Sequence, residues 1–127
     1  MTGEPANPRR ARVLVVEDVL LMAEVIADQL EECGCTVVGP VAHLAEAKTL
    51  AREAPLDGAV LDVNLAGQRS FPVAAILRER RVPYVFLTGY DSDDVFPAEY
   101  RDAPRLGKPF RHDELIDAMK VHLHLCT

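Results

Sequence analysis

Five side chains of kinds that bind phosphate and divalent cations stand at the ends of apolar runs in this sequence. They are two adjacent carboxylates, a third carboxylate, a hydroxyl and an ammonium group, in the order Glu17, Asp18, Asp62, Thr88 and Lys108. Carboxylates about 4 Å apart repel each other by on the order of 4 kcal/mol at an effective dielectric constant near 20, so three together either raise one pKa or bind a cation. Oxygen ligands favour Mg²⁺ or Mn²⁺ over Zn²⁺. An aspartate beside an ammonium group and a hydroxyl is a candidate nucleophile for phosphoryl transfer.

These residues meet only if the apolar runs before them form neighbouring strands of one sheet. The continuous β-branched run at 13–16 is typical of a strand buried on both faces, as in a parallel sheet. Similar runs predict further strands at 36–39, 58–63, 82–88 and 106–109. Apolar residues at three- and four-residue steps predict helices from residue 18 to Gly34, from 44 to Pro55, over 72–81 and around 115–123, the last with Asp113 as N-cap.

Strands that alternate with helices in this way predict a doubly wound α/β fold, with a five-stranded parallel sheet and helices on both faces. Such sheets bind ligands at the carboxyl ends of their strands, which is where the five polar side chains stand. The segment 91–103 is rich in aspartate, contains Pro97 and has no helical period, so we expect the fourth helix to be short or mobile. We expect residues 1–11 to be a flexible tail before a single domain at 12–125.

Composition and charge exclude several other classes of protein. The chain has 127 residues, of which 49% are hydrophobic and 27% charged, as in a folded globular domain. The net charge of −6 argues against nucleic acid and anionic membrane surfaces as partners. No uncharged run reaches the ~18 apolar residues of a membrane-spanning helix, and no signal peptide is visible. Three cysteines, an odd number without framework spacing, are expected to be reduced thiols in a cytoplasmic protein.

Four segments of the chain together resemble the receiver (CheY-like) domain of two-component response regulators. These segments are 13–18, 60–65, 86–89 and 108–110. Their order fits the family, and so do the gaps of 44, 26 and 20 positions between their polar residues. The resemblance extends over roughly residues 11–125 and implies the flavodoxin-like topology of that family.

The resemblance implies a role for each polar residue. Asp62 accepts a phosphoryl group from a phosphohistidine on a sensor histidine kinase or a histidine phosphotransfer protein. Thr88 senses that group and Lys108 pairs with it, before an expected cis peptide bond to Pro109. The implied ligands of Mg²⁺, or of Mn²⁺, are Asp18, Asp62, the backbone carbonyl of Asn64 and, through a water molecule, Glu17. Asn64 also stands where the family tunes autodephosphorylation.

Arg105 marks the one clear departure from the usual receiver pattern. Receivers usually place a tyrosine or phenylalanine three residues before the lysine, and an arginine is not buried there in the same way. The run 83–90 instead resembles the FAT GUY subgroup of stand-alone receivers, known from alphaproteobacterial stress signalling. Our hypothesis is that Tyr90 and the segment 91–103 replace the missing aromatic residue.

The expected function is therefore that of a stand-alone response regulator, a phosphoacceptor rather than an enzyme, which signals by protein contact or drains phosphate from a kinase. Two alternatives stay open. A pseudo-receiver binding module no longer accepts phosphate, although every required side chain is present here. A small phosphatase of the haloacid-dehalogenase type needs an aspartate in place of Asn64 and a substrate cap. The sequence names neither the kinase nor the downstream target.

Overall fold

The computed structural model describes residues 10–89 and 96–125. Within these residues, five strands form one parallel sheet and two short strands form an antiparallel ribbon. The strands are β1 (Arg12–Val16), β2 (Thr36–Val41), β3 (Gly58–Asp62), β4 (Asn64–Leu65), β5 (Gln68–Arg69), β6 (Tyr84–Thr88) and β7 (Arg105–Gly107). The α-helices are α1 (Leu20–Glu32), α2 (Leu44–Glu53), α3 (Phe71–Glu79) and α4 (His112–Leu123).

The main sheet has the strand order β2-β1-β3-β6-β7, and all its neighbouring pairs are parallel. The strands β1 and β3 lie inside the sheet and are almost entirely buried. Their continuous apolar runs follow from this position, because the strands of a parallel sheet are covered on both faces. The predicted five-stranded parallel sheet is confirmed, and the carboxyl ends of β1, β3, β6 and β7 lie at one edge of it.

Two hydrophobic cores lie on opposite faces of the sheet, because successive residues of a strand point in opposite directions. Leu14 and Leu61 belong to the core that α2 and α3 cover. Val13 and Val60, their chain neighbours, belong to the core that α1 and α4 cover. The prediction of helices on both faces is therefore confirmed.

Two helices begin at residues other than those predicted. Helix α1 begins at Leu20, because Asp18 accepts a hydrogen bond from the Ala66 N–H rather than capping the helix. Helix α4 begins directly after Arg111, so the prediction of Asp113 as its N-cap is wrong. The Arg111 N–H donates to a glutamate carboxylate three residues later, at 2.8 Å, and this bond fixes the helix start.

The connection between β6 and β7 contains only a short 3₁₀ turn, Ala98–Tyr100, in its described part. The expectation of a short fourth helix is thus confirmed for residues 96–104. Four side chains, here called the aromatic cluster, attach this connection to the sheet and to α3: Phe71, Phe86, Phe96 and Tyr100. Their contacting rings have centroids between 5.2 and 6.0 Å apart, mostly edge to face.

The ribbon formed by β4 and β5 was not predicted from the sequence. Its turn places Ala66 and Gly67 at φ values of 52° and 89°. A two-residue hairpin turn of type I′ needs positive φ at both central residues, and the residue type alanine does not indicate that conformation. The ribbon begins two residues after Asp62 and so lies at the carboxyl edge of the sheet.

One cysteine differs from the predicted reduced state. Cys33 is disulfide-bonded, so the expectation that the cysteines are reduced is wrong at this position. Cys33 directly follows the last residue of α1 and is half-buried. No helix within 10–89 and 96–125 is long and apolar enough to cross a membrane. Tyr90 and residues 1–9 of the predicted tail lie outside the described residues.

Candidate functional site

A cleft of about 290 Å³ at the carboxyl edge of the sheet is lined by four of the predicted site residues. Its lining includes Asp18, Asp62, Asn64 and Lys108. Each predicted side chain ends or follows a strand: Glu17 and Asp18 follow β1, Asp62 ends β3, Thr88 ends β6 and Lys108 follows β7. Parallel strands point the same way, so residues far apart in the chain meet at one edge. The structure therefore brings Glu17, Asp18, Asp62 and Lys108 together. Thr88 ends the neighbouring strand β6 at the same edge.

The ammonium group of Lys108 bridges two buried carboxylates. Its Nζ donates hydrogen bonds to Glu17 Oε1 at 2.8 Å and to Asp62 Oδ2 at 3.0 Å. Glu17 is 2% exposed and Asp62 is 6% exposed. Buried charge pairs of this kind are screened much less by salt than surface pairs. The positive charge of Lys108 is thus held directly beside the predicted phosphoacceptor.

Burial and crowding shift the pKa values in this cluster. The pKa of Glu17 is raised from 4.5 to about 7, chiefly by burial and next by its hydrogen-bonding contact with Asp62, while the bond from Lys108 lowers it. Burial lowers the pKa of Lys108, but the hydrogen bonds to the two carboxylates outweigh burial and raise that pKa overall. The site therefore holds more acid than one ammonium group neutralises.

The acidic residues form a set that fits a divalent cation. Glu17, Asp18 and Asp62 each present a carboxylate oxygen, and these oxygens lie within 4.8 Å of one another. Hard oxygen ligands suit Mg²⁺, which uses one or two carboxylates and keeps several water molecules. The pKa of Glu17 is raised chiefly by its burial and only to a lesser extent by Asp62. The residues present therefore fit Mg²⁺ or Mn²⁺.

Backbone N–H groups hold the three acidic side chains in place. The donor and acceptor pairs are Val19 N–H to Glu17 Oε2 at 3.1 Å, Ala66 N–H to Asp18 Oδ2 at 2.9 Å and Asn64 N–H to Asp62 Oδ1 at 3.3 Å. Two of these donors come from β4 and its turn, so the unpredicted ribbon is part of the site. Ala66 could not be predicted from the sequence, because a backbone donor does not depend on residue type.

The side chain of Asn64 is held by the same ribbon. Its Oδ1 accepts hydrogen bonds from the Gly67 N–H and from Arg69 Nη1, each at 3.1 Å. Arg69 pairs with Asn64 across the ribbon, which places the two side chains next to each other. Arg69 could not be predicted as a site residue, because an exposed arginine in a connection indicates no such role until the ribbon is known.

Thr88 and Arg105 occupy the neighbouring strands β6 and β7. Thr88 is 5% exposed, and its carbonyl oxygen accepts a hydrogen bond from the Lys108 N–H at 2.7 Å. The guanidinium carbon of Arg105 lies 3.8 Å from the centroid of the Phe96 ring, and Arg105 Nη2 donates to the Arg101 carbonyl at 2.6 Å. Arg105 is thus half-buried against the aromatic cluster. The expected cis peptide bond between Lys108 and Pro109 is present.

A doubly wound α/β sheet with an acidic cluster and a lysine at the carboxyl edge of its strands defines a receiver-type domain of two-component signalling. The model of the Response regulator receiver domain family matches residues 13–120. The chain belongs to this family.

Relatives and solved structures agree with that assignment. The Transcriptional regulatory protein TcrA of Mycobacterium tuberculosis (strain ATCC 25618 / H37Rv) is 37% identical over 114 residues, which are 87% of this chain and 45% of TcrA. The chain thus spans less than half the length of the curated relatives that it matches. The solution structure of SdrG from Sphingomonas melonis Fr1 is 41% identical and has a TM-score of 0.76, covering 87% of this chain and 93% of that chain.

A third comparison supports the fold alone. The receiver domain of the sensor histidine kinase PA1611 from Pseudomonas aeruginosa PAO1 is 24% identical and has a TM-score of 0.73. The superposition covers 91% of this chain and 99% of that chain. The PA1611 structure has a magnesium ion coordinated in its active-site cleft.

Proposed function

We propose that this chain is a phosphoacceptor, in which Asp62 receives a phosphoryl group from a sensor histidine kinase or a histidine phosphotransfer protein. The observation that carries the proposal is the position of Lys108 Nζ, 3.0 Å from Asp62 Oδ2 and 2.8 Å from Glu17 Oε1. Membership of the receiver family supports the same class of donor. The protein is not an enzyme with a separate substrate, since its chemistry begins and ends on its own aspartate.

In the transfer, a carboxylate oxygen of Asp62 attacks the phosphorus atom of a phosphohistidine. The new P–O bond forms as the P–N bond breaks, and the departing ring nitrogen keeps the electron pair of the broken bond. Lys108 neutralises charge on the phosphoryl oxygens, and the Thr88 hydroxyl donates to one of them and senses it. Asp18, Asp62, the Asn64 carbonyl and, through water, Glu17 would hold Mg²⁺, which would supply further neutralisation of negative charge during the transfer.

Incubation with acetyl phosphate and Mg²⁺, followed by intact-mass measurement, tests this function. We expect a mass increment of one phosphoryl group that is lost in Asp62→Asn and in excess EDTA. Asp28→Asn is the matched control, because it makes the same chemical change at an exposed position of α1 and should leave uptake unchanged. A wild-type chain without the increment would favour the binding-module alternative. Continuous hydrolysis of small phosphate esters would favour the phosphatase.

We further propose that the domain at 12–125 works as a stand-alone receiver of the FAT GUY subgroup, which signals by protein contact or acts as a phosphate sink. The similarity to SdrG over 93% of that chain supports this, as does Arg105 in the position of the usual aromatic residue. In this proposal Tyr90 takes over part of the switching role. Replacing Tyr90 with alanine and finding unchanged phosphorylation-linked NMR shifts in the 88–105 amides would reject that role.

The partners that follow from this function are a kinase or phosphotransfer protein and a downstream protein. We place the protein in the cytoplasm, where kinases obtain the ATP that supplies the phosphoryl group. The net charge of −6 gives no support to a nucleic acid or membrane partner. Phosphotransfer profiling against all histidine kinases of the host is the experiment that identifies the donor.

A further inference from the structure

The side chain of Asn64 has a defined orientation at the edge of the phosphoacceptor cleft. Asn64 lines the cleft together with Asp62 and Lys108. Its carboxamide oxygen accepts hydrogen bonds from the Gly67 N–H and from Arg69 Nη1, each at 3.1 Å. Neither Gly67 nor Arg69 is among the residues that line the cleft. Asn64 therefore connects the ribbon to the cleft.

The chemistry of the two partners determines which end of the carboxamide they hold. A backbone N–H and a guanidinium group donate hydrogen bonds and cannot accept them. The atom that faces them must therefore be the oxygen of Asn64, and its NH₂ group is the polar end that is left for other neighbours. An NH₂ group donates to a phosphoryl oxygen or to a water oxygen, but it cannot accept a proton from water.

This orientation bears on how fast an aspartyl phosphate at Asp62 is lost. In hydrolysis a water oxygen attacks the phosphorus atom, the bond from phosphorus to the Asp62 oxygen breaks, and the electron pair returns to the Asp62 carboxylate. Both protons of the water leave with the product, H₂PO₄⁻. An acceptor beside the phosphoryl group orients the water by taking a hydrogen bond from it, whereas a donor turns the lone pair of the water away from phosphorus.

We propose that Arg69 is a positioning residue, which prolongs the lifetime of the phosphorylated protein by keeping Asn64 Oδ1 turned toward the ribbon and away from the hydrolytic water. The inference rests on the proposed function of Asp62. Arg69 acts through Asn64 and does not touch the reacting atoms. The Gly67 N–H provides a second anchor, so loss of Arg69 loosens the carboxamide without releasing it completely.

The test measures the loss of the phosphoryl group by intact mass after removal of acetyl phosphate. We expect Arg69→Ala to shorten the lifetime about threefold, which is the size of effect expected from one exposed hydrogen bond. Arg69→Lys retains a donor and should stay close to wild type. Arg52→Ala removes an equal charge from an exposed position of α2 and should change nothing. In an Asn64→Ala background, Arg69→Ala should have no further effect.

A second measurement does not depend on phosphorylation. The side-chain NH₂ signal of Asn64 in ¹⁵N NMR spectra should shift in Arg69→Ala and stay in place in Arg52→Ala. An unchanged or longer lifetime in Arg69→Ala, or an equal shortening in the Asn64→Ala background, would overturn the inference and leave the function of Asp62 intact. A wild-type chain that takes up no phosphoryl group would overturn both.

Discussion

Lys108 Nζ lies 3.0 Å from Asp62 Oδ2, although 46 positions separate the two residues in the chain. The bond spans β3 and β7, with β6 between them, and so depends on the register of three strands. The same ammonium group also binds Glu17, while the carboxylate of Asp18 lies close by. One cation thus faces three carboxylates, so the cluster holds more acidic than basic groups.

We expect Asp62→Asn to raise the free energy of unfolding of the metal-free protein by about 1 kcal/mol at pH 8. The asparagine oxygen still accepts the hydrogen bond from Lys108, while one buried negative charge and its repulsion of Glu17 disappear. Urea unfolding in EDTA measures the change. Asp28→Asn is the control: this carboxylate is exposed, so its replacement should change the free energy of unfolding by less than about 0.5 kcal/mol. A loss of stability in Asp62→Asn would mean that its attraction to Lys108 outweighs the repulsion.

The stability of the metal-free protein should fall as the pH rises from about 5 to 8. The pKa of Glu17 is about 7 in the folded protein against 4.5 ordinarily, so the folded state holds this proton more tightly than the unfolded state. Raising the pH removes the proton and leaves a buried charge, which costs up to about 3 kcal/mol. Urea midpoints in EDTA across this range measure the slope.

Glu17→Gln should flatten that pH dependence, because glutamine does not titrate. Glu24→Gln, at an exposed position of α1, is the matched control and should keep the wild-type slope. A slope that survives in Glu17→Gln would assign the titration to another group of the cluster.

Much of the fold follows from the sequence because the strands of a buried parallel sheet are continuous apolar runs. The runs before Glu17, Asp62 and Thr88 differ so clearly from the amphipathic helices that the order of the elements is readable. The carboxyl ends of parallel strands share one edge, so the fold class places Asp62 and Lys108 at the same edge, while their direct contact depends on the strand register.

The parts that sequence does not reveal depend on contacts made by backbone or by exposed side chains. The ribbon requires Ala66 at positive φ, a conformation that residue type does not indicate. The start of α1 is decided by a bond between Asp18 and the Ala66 N–H, from a distant part of the chain. The position of Arg105 over Phe96 likewise depends on tertiary packing.

Gly39→Ala should lower the free energy of unfolding by about 3 kcal/mol. Gly39 has a φ of 98°, and a methyl group there would lie 2.9 Å from the Val41 nitrogen and 3.0 Å from the Val15 carbonyl oxygen. These are backbone atoms of the sheet, and the Val41 carbonyl accepts a hydrogen bond from the Glu17 N–H. The substitution should therefore disturb the acidic cluster as well as the fold.

Gly67→Ala separates steric conflict from backbone strain. Gly67 also has a positive φ, of 89°, but a methyl group there has no neighbour within 4 Å. Gly67→Ala should therefore lower the free energy of unfolding by about 1 kcal/mol, because only the backbone conformation is strained. Urea unfolding of both variants makes the comparison, and equal losses would show that β2 moves to accommodate a methyl group at residue 39.

Arg105→Ala should loosen the connection between β6 and β7 and lower the free energy of unfolding by about 1 kcal/mol. Arg105 stacks on Phe96 and donates to the carbonyl groups of Tyr100 and Arg101. The N–H groups of Tyr100 and Ala103 donate hydrogen bonds within this turn. They should exchange with deuterium faster in the variant. The N–H groups of β1 and β3 open only on global unfolding, so their exchange rates should change only as much as the overall stability does. Arg101→Ala, which removes an exposed arginine side chain of the same turn, is the control and should leave these amides unchanged. If both variants exchange alike, the aromatic cluster holds the connection without Arg105, and the arginine then has no part in replacing the usual aromatic residue.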